Sequence, residues 1–322
     1  HCFSYVLLMM NEDKSSYYLE IATCKVEGCF LYKPLCSIKK HKMNRPQTIQ
    51  IFLPDGSPRS VKIAEITNRV VKAVLVPRNK LDYIATRNEL NNVGIYFLFG
   101  ESADKAKPIV YIGEAEECFD RLKQHNRSKE FWNYAVVMVS KINAFTKSHA
   151  KYLEHVAIDQ AKDSKRYETE NQTAPSKPFV TESMEADLLD SFDTIKILLS
   201  TLGFPVFDKI DRQQLASKEL LLLNGRNIKA EGDLIDEGFV VFKGSQLKKD
   251  SVPSCHEYLI NLRQKLLQSE IIEEQNDNYV FIQDYIFNSP STAGGVVLGR
   301  STNGWTKWKN KAGKTLDELK RK

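Results

Sequence analysis

Long apolar runs are missing from this chain of 322 residues. Stretches such as Tyr5 to Met10 and Leu220 to Leu223 fall far short of the roughly 20 apolar residues that a bilayer-spanning helix needs, so no membrane association is expected. His1 to Met10 also lacks the basic stretch and small-residue cleavage site of a signal peptide, and an opening His in place of Met fits a fragment or an upstream read-through. Cysteine is scarce: six, at positions 2, 24, 29, 36, 118 and 255, are too sparse and uneven for a disulfide scaffold, which favours a reducing, cytoplasmic setting. With only 15 Gly and 11 Pro, and no internal repeat, collagen-like and low-complexity chains are excluded. Charge of one sign is not in large excess either. Lys plus Arg number 46 against 41 Asp plus Glu, a mild +5 that suits a polyanionic partner but is far from a histone-like tail.

What is present is a globular composition, 42% hydrophobic and 27% charged, in a chain longer than one compact core usually organises, so two or three domains are expected. Residues 1–42 show no sustained period, end in the basic run Lys39, Lys40, His41 and Lys42, and read as a poorly ordered extension. Cys24, Cys29, Cys36 and His41 are the right atom types for zinc, but their spacing fits no common zinc pattern and a chance cluster explains them as well. Residues 43–87 form a small β-rich module: Ile49, Ile51 and Leu53 alternate with polar neighbours, Pro54-Asp55-Gly56 supplies a turn, and Val61 to Val76 is rich in β-branched residues.

From Val93 the order is strand, strand, helix, strand, helix. Val93 to Phe99 and Ile109 to Ile112 are apolar strands joined by the charged loop Glu101 to Pro108. Ala115, Cys118, Phe119 and Leu122 have helical spacing, with Glu114, Glu116 and Glu117 expected in the first turn. Tyr134 to Val139 is a third strand and Lys147 to Lys162 a second helix. Asp163 to Pro178 marks a domain edge; beyond it Leu188 to Leu202 is expected to be helical, Gly238 to Lys243 a strand and Tyr258 to Leu267 a helix. Tyr279 to Ile282 and Trp305 to Trp308 suit short strands or ordered loops.

Two sets of polar residues fall where chemistry could use them. Glu154 sits beside the core stripe of Ala150, Leu153, Ala157 and Ala161. It is either a margin carboxylate paired with Lys151 or Lys147, or a ligand for a hard divalent cation such as Mg²⁺. Arg121 and His125, four apart on the first helix, share a face. They are either an exposed ladder with Glu117 pairing Arg121, or a guanidinium and an imidazole serving a phosphodiester.

Gly94-Ile95-Tyr96 and Tyr111-Ile112-Gly113, followed in order by Arg121, His125 and Glu154, resemble the GIY-YIG nuclease family over Val93 to about Pro175. The stretch between the tripeptides is longer and more charged than in many relatives, which suggests an altered loop. The resemblance implies an α+β fold whose nuclease core is a mainly antiparallel three-stranded sheet flanked by helices. It also implies Tyr96 as general base or water-orienting group, Tyr111 on the scissile phosphate, and Arg121 neutralising phosphoryl charge. His125 would relay a proton and Glu154 hold a single Mg²⁺ or Mn²⁺; the family's closing Asn falls on Asn171. A phenol, ordinarily near about 10, would serve as a base only if nearby cations stabilised the phenolate.

Tyr279 to Asp284, Ser289-Pro290-Ser291 and Gly304-Trp305 with Trp308 are similar to a C-terminal domain of unknown function that follows GIY-YIG modules. Trp305 and Trp308 among Arg300, Lys307, Lys309 and Lys311 either stack on bases or pack a small core. His149, His155 and His256 have no evident partners. The expected domains are thus 1–42, 43–87, a nuclease domain at 88–175, an α/β connector at 176–250 and a small α+β C-terminal domain at 251–322. The expected function is divalent-metal-dependent endonucleolytic hydrolysis of DNA without a small-molecule cofactor, the alternative being a catalytically silent nucleic-acid-binding protein that retains the fold.

Overall fold

The computed structural model describes residues 4–10, 17–23, 46–171, 175–210 and 220–321. The chain divides into two units, His1–Gln47 and Thr48–Lys322. In the first, β1 (Ser4–Met10) pairs antiparallel with β2 (Tyr17–Thr23). Cys24, Cys29, Cys36 and His41 lie outside the described residues.

The second unit is built on a seven-stranded sheet of order β3-β4-β5-β8-β6-β7-β9. Its strands are β3 (Ile49–Phe52), β4 (Lys62–Ile66), β5 (Val71–Pro77), β6 (Gly94–Gly100), β7 (Ile109–Ala115), β8 (Trp132–Ser140) and β9 (Glu168–Thr169). All pairings are antiparallel except β7 with β9. The expected separate β-rich module and three-stranded sheet are therefore one sheet. The reason is that β5 pairs along its full length with β8, which satisfies a backbone edge that two separate sheets would leave open.

Helices cover both faces. Ile95, Phe97 and Phe99 of β6 pack with Leu153 and Ala157 of α3 (Lys147–Ser164) and Phe192 and Ile195 of α4 (Glu182–Thr201). Tyr96 and Leu98 face the other way, toward Ile84 of α1 (Leu81–Ile84) and Cys118 and Leu122 of α2 (Cys118–Ser128). A strand buried on both faces needs no polar alternation, which is why Gly94 to Gly100 reads as one apolar run. Helix α2 starts later than expected: Glu114 belongs to β7 and Glu117 is the N-cap, leaving Asp120 as the acid of the first turn. His149, expected to be idle, completes a reciprocal N-cap with Thr146 on α3, and His155 Nδ1 bonds the Pro175 carbonyl at 2.8 Å.

The C-terminal region has a sheet of order β10-β11-β12-β16 and a smaller one of order β13-β15-β14. The first comprises β10 (Leu221–Gly225), β11 (Ile228–Ile235), β12 (Gly238–Val241) and β16 (Tyr285–Phe287). The second comprises β13 (Gln246–Lys248), β14 (Ile272–Gln275) and β15 (Asn278–Phe281). Around them lie α5 (Glu257–Gln268), α6 (Pro290–Leu298), α7 (Gly304–Lys307) and α8 (Leu316–Lys320). The expected connector at 176–250 is split between two cores, because α4 packs on the first sheet while β10 to β12 share a sheet with β16.

Loop 101–108, between β6 and β7, is the meeting point of the two regions. Ala106 N–H donates to Ser269 Oγ at 3.2 Å, and the Tyr285 hydroxyl donates to the Ala106 carbonyl at 2.9 Å. Buried Lys107 donates to the Lys165 carbonyl and to Gln283 Oε1; burial lowers its ammonium to about 8. Among the described residues no helix is long and apolar enough to cross a membrane.

Candidate active site

Tyr96 and Tyr111 project from the neighbouring strands β6 and β7 toward α2, and their ring centroids are 6.3 Å apart. Directly opposite Tyr96 is Gly113. A Cβ there would lie 2.3 Å from the Tyr96 hydroxyl, so the absent side chain is what lets the phenol lie across β7. Helix α2 supplies the remaining groups at a spacing of four, which puts them on one face. His125 Nε2 is 2.8 Å from the Tyr96 hydroxyl, and Arg121 Nε donates to the same oxygen at 3.3 Å. The His125 ring meets that of Tyr111 edge-on at 5.1 Å. Arg121 bonds Gln124 Oε1 at 2.8 Å and also reaches the Tyr111 hydroxyl, so the expected alternative of a Glu117–Arg121 ladder is not formed.

Burial decides the protonation states. Tyr96 is 1% exposed, and desolvation pushes its phenol well above the ordinary value; the hydrogen bond from Arg121 pulls the other way and does not overcome it. His125 is pushed down to about 4, first by burial and then by the charges of Arg121 and Lys129. Near neutral pH the pair is a phenol beside a neutral imidazole. With no metal bound, Tyr96 therefore has a proton to give, and Nε2 of His125 is placed to take it.

Glu154 lies on α3, on the opposite face of the sheet, beside the outer edge of β7, and is linked to Tyr96 and Arg121 by charge alone. Strand β9 pairs with that edge only at Ile109 and Val110. Asn171 then continues the pairing with its side chain, accepting from Ile112 N–H at 3.0 Å and donating to the Ile112 carbonyl at 2.8 Å. Two residues further along the same edge, the Glu114 main-chain N–H bonds the Glu154 carboxylate. Asn171 is therefore not among the converging groups. Both of its amide atoms hold the strand that carries Tyr111.

Half-buried Glu154 is raised to about 7, chiefly by desolvation and next by the charge of Glu114; the Glu114 N–H, Lys151 and Arg121 offset only part. Lys147 pairs with Glu116 at 2.9 Å instead. A carboxylate short of countercharge at a partly open edge fits one hard divalent cation. Among the described residues no three His, Cys, Asp or Glu converge on a metal position, so an ion here would draw most of its shell from water and substrate oxygens.

Sequence reasoning missed three contributors: Gly113 as the space for Tyr96, Glu114 beside Glu154, and Lys129, whose ammonium lies 4.4 Å from the Tyr111 ring centroid. The signal for Lys129 was its position four residues after His125. A cavity of about 520 Å³ beside Lys107 and Arg166 is lined by none of the cluster.

The C-terminal motifs are structural. Trp308 is fully buried against Phe239 and donates Nε1–H to the Pro290 carbonyl at 3.1 Å, so it has no face for a base. Gly304 N–H donates to Ser291 Oγ at 3.0 Å, and α7 is a helical turn where a strand or loop was expected. Arg321 covers Trp305, 3.4 Å above its ring centroid.

Residues 221–320 match the family model of a domain of unknown function (DUF4357). No curated protein matches the chain, and no solved structure does.

Proposed function

We propose that this protein is a divalent-metal-dependent endonuclease of the GIY-YIG type that hydrolyses DNA phosphodiester bonds. The observation that carries the reading is the convergence of Arg121 Nε and His125 Nε2 on the Tyr96 hydroxyl beside Tyr111, with a carboxylate of raised pKa at the adjoining strand edge.

In this reading Tyr111 and Arg121 face the scissile phosphate, and buried Tyr96 acts behind them. As water adds to phosphorus, its proton passes to the Tyr96 oxygen and the phenol's own proton moves to His125 Nε2. The new bond is from phosphorus to the water oxygen; the one that breaks joins phosphorus to the leaving sugar oxygen. Arg121 offsets the charge that builds on the phosphoryl oxygens. Glu154 would hold Mg²⁺ or Mn²⁺, whose chemistry is to stabilise the leaving oxygen. Preorganised charge and position, not a strong base, then supply most of the acceleration.

The test is incubation with plasmid DNA and Mg²⁺ or Mn²⁺, with EDTA as control. Metal-dependent nicking that Glu154→Gln abolishes, while the variant keeps its fold and weak DNA binding, is the expected result. Equal cutting by Glu154→Gln would remove Glu154 from the site, and binding without cleavage by the unaltered protein would favour the catalytically silent alternative.

A further inference from the structure

We propose that Lys129 is, with Arg121, a second cationic contact for the substrate phosphate beside Tyr111 and His125; the assignment rests on the nuclease reading above. Lys129 directly follows α2, where its N–H donates to the His125 carbonyl at 2.9 Å, so its backbone position is tied to that of the imidazole. From there the side chain turns back over the site, to 4.4 Å from the Tyr111 ring centroid and 6.0 Å from that of Phe131.

The position of Lys129 over the ring of Tyr111, beside His125, is what points to a ligand. On the same helix Lys123 pairs with Asp120 at 2.6 Å, and Lys147 pairs with Glu116 at 2.9 Å. Among the described residues, Lys129 and Arg121 have no carboxylate partner, although exposed Glu130 is adjacent to Lys129 in sequence. Arg121 and Lys129 thus place two cations, resting on phenolic and aromatic groups, beside Tyr96, Tyr111 and His125. A phosphodiester carries one negative charge and gains a second as hydroxide adds, so two cations match the transition state where one matches only the ground state. A lysine on a flexible stem, resting on a ring, can move onto a phosphate without rearranging the fold.

The groups facing His125 are Tyr96 from β6, Tyr111 from β7, and Arg121 and Lys129 from the helix and its end. Removing the Lys129 charge should therefore leave a second trace, an imidazole that is easier to protonate. The experiment compares wild type, Lys129→Met and Lys129→Arg in metal-dependent cleavage, and follows His125 by NMR titration without metal. Expected for Lys129→Met is about a tenfold fall in kcat/KM, below the roughly 10²–10³ of a rigid buried donor because Lys129 is partly exposed. Lys129→Arg should restore most of it, and the His125 titration should move upward in Lys129→Met alone. An active wild type with an unimpaired Lys129→Met would show that Lys129 only covers Tyr111, wherever His125 titrates, and would overturn the assignment alone. A wild type that cuts nothing overturns the nuclease reading, and the assignment with it.

Discussion

The two regions joined at loop 101–108 differ at one point: the first holds a cluster of polar side chains bonded to one another, whereas the second ties its buried Arg263 and Trp308 to main chain. Buried Arg263 donates to the carbonyls of Val296, Lys248 and Lys249, and Trp308 to that of Pro290. In the first region Tyr96, His125 and Arg121 bond one another, and burial with neighbouring charges moves His125 down to about 4 and Glu154 up to about 7. Side chains bonded to main chain fix a fold, because their partners cannot titrate or leave. Side chains bonded to one another, with protonation states set by burial, can pass a proton. The difference marks the first region as the place where chemistry is affordable.

The sharpest way to break this comparison is to add one methyl group to each region. A Cβ on Gly304 would lie 2.1 Å from the Pro290 carbonyl oxygen, which is backbone and cannot swing away. Gly304→Ala should cost about 3 kcal/mol in chemical denaturation, with the Tyr96–His125 cluster intact in the folded fraction. A Cβ on Gly113 meets the Tyr96 side chain instead. Gly113→Ala should cost less stability, about 1–2 kcal/mol, and nearly all activity, since the phenol must leave His125. Equal losses of stability and activity in both variants would erase the distinction.

A smaller effect is expected from pH in the metal-free protein. His125 has a native value of about 4 against an ordinary 6.5, so its contribution to stability is complete above pH 6.5 and is lost as pH falls toward 4. Glu154, about 7 against an ordinary 4.5, works in the opposite sense: its contribution is complete below pH 4.5 and is lost as pH rises toward 7. The two nearly cancel between pH 4.5 and 6.5. Glu154→Gln should unmask the histidine and make the protein less stable on acidification relative to wild type, as urea titrations across that range would show. A pH dependence unchanged by the substitution would mean that Glu154 is not raised.

The smallest effect tests the joint. Tyr285→Phe removes the bond to the Ala106 carbonyl and should lower stability by about 1 kcal/mol, with little change in the chemistry at Tyr96. A large loss of cleavage would show instead that the C-terminal region holds the hairpin of β6 and β7 in its working position.

Reading the sequence located the elements from Gly94 to Ser164 in order, because an unbroken apolar run and a stripe at helical spacing report burial directly. It also singled out Tyr96 and Tyr111 through the tripeptides Gly94-Ile95-Tyr96 and Tyr111-Ile112-Gly113, Arg121 and His125 through their spacing of four, and Glu154 through its place beside a core stripe. It misplaced Asn171 and the connector, and left Trp308 open between base stacking and a small core, for a common reason. Asn171 is occupied by Ile112, Trp308 by Pro290 and β12 by β16, and each partner is distant in sequence.

What the residue order determined by itself is therefore local: periodicity, the turn residues, and the spacing of four that aligns Arg121 with His125. Tertiary structure alone decided that seven strands join in one sheet and that Glu154 comes to lie beside Glu114 at the edge of β7. It also decided which polar atoms are already spent on backbone. The physical reason is that side-chain spacing is set by the geometry of a single helix or strand, whereas desolvation and hydrogen-bond partners depend on segments brought together only when the whole chain folds.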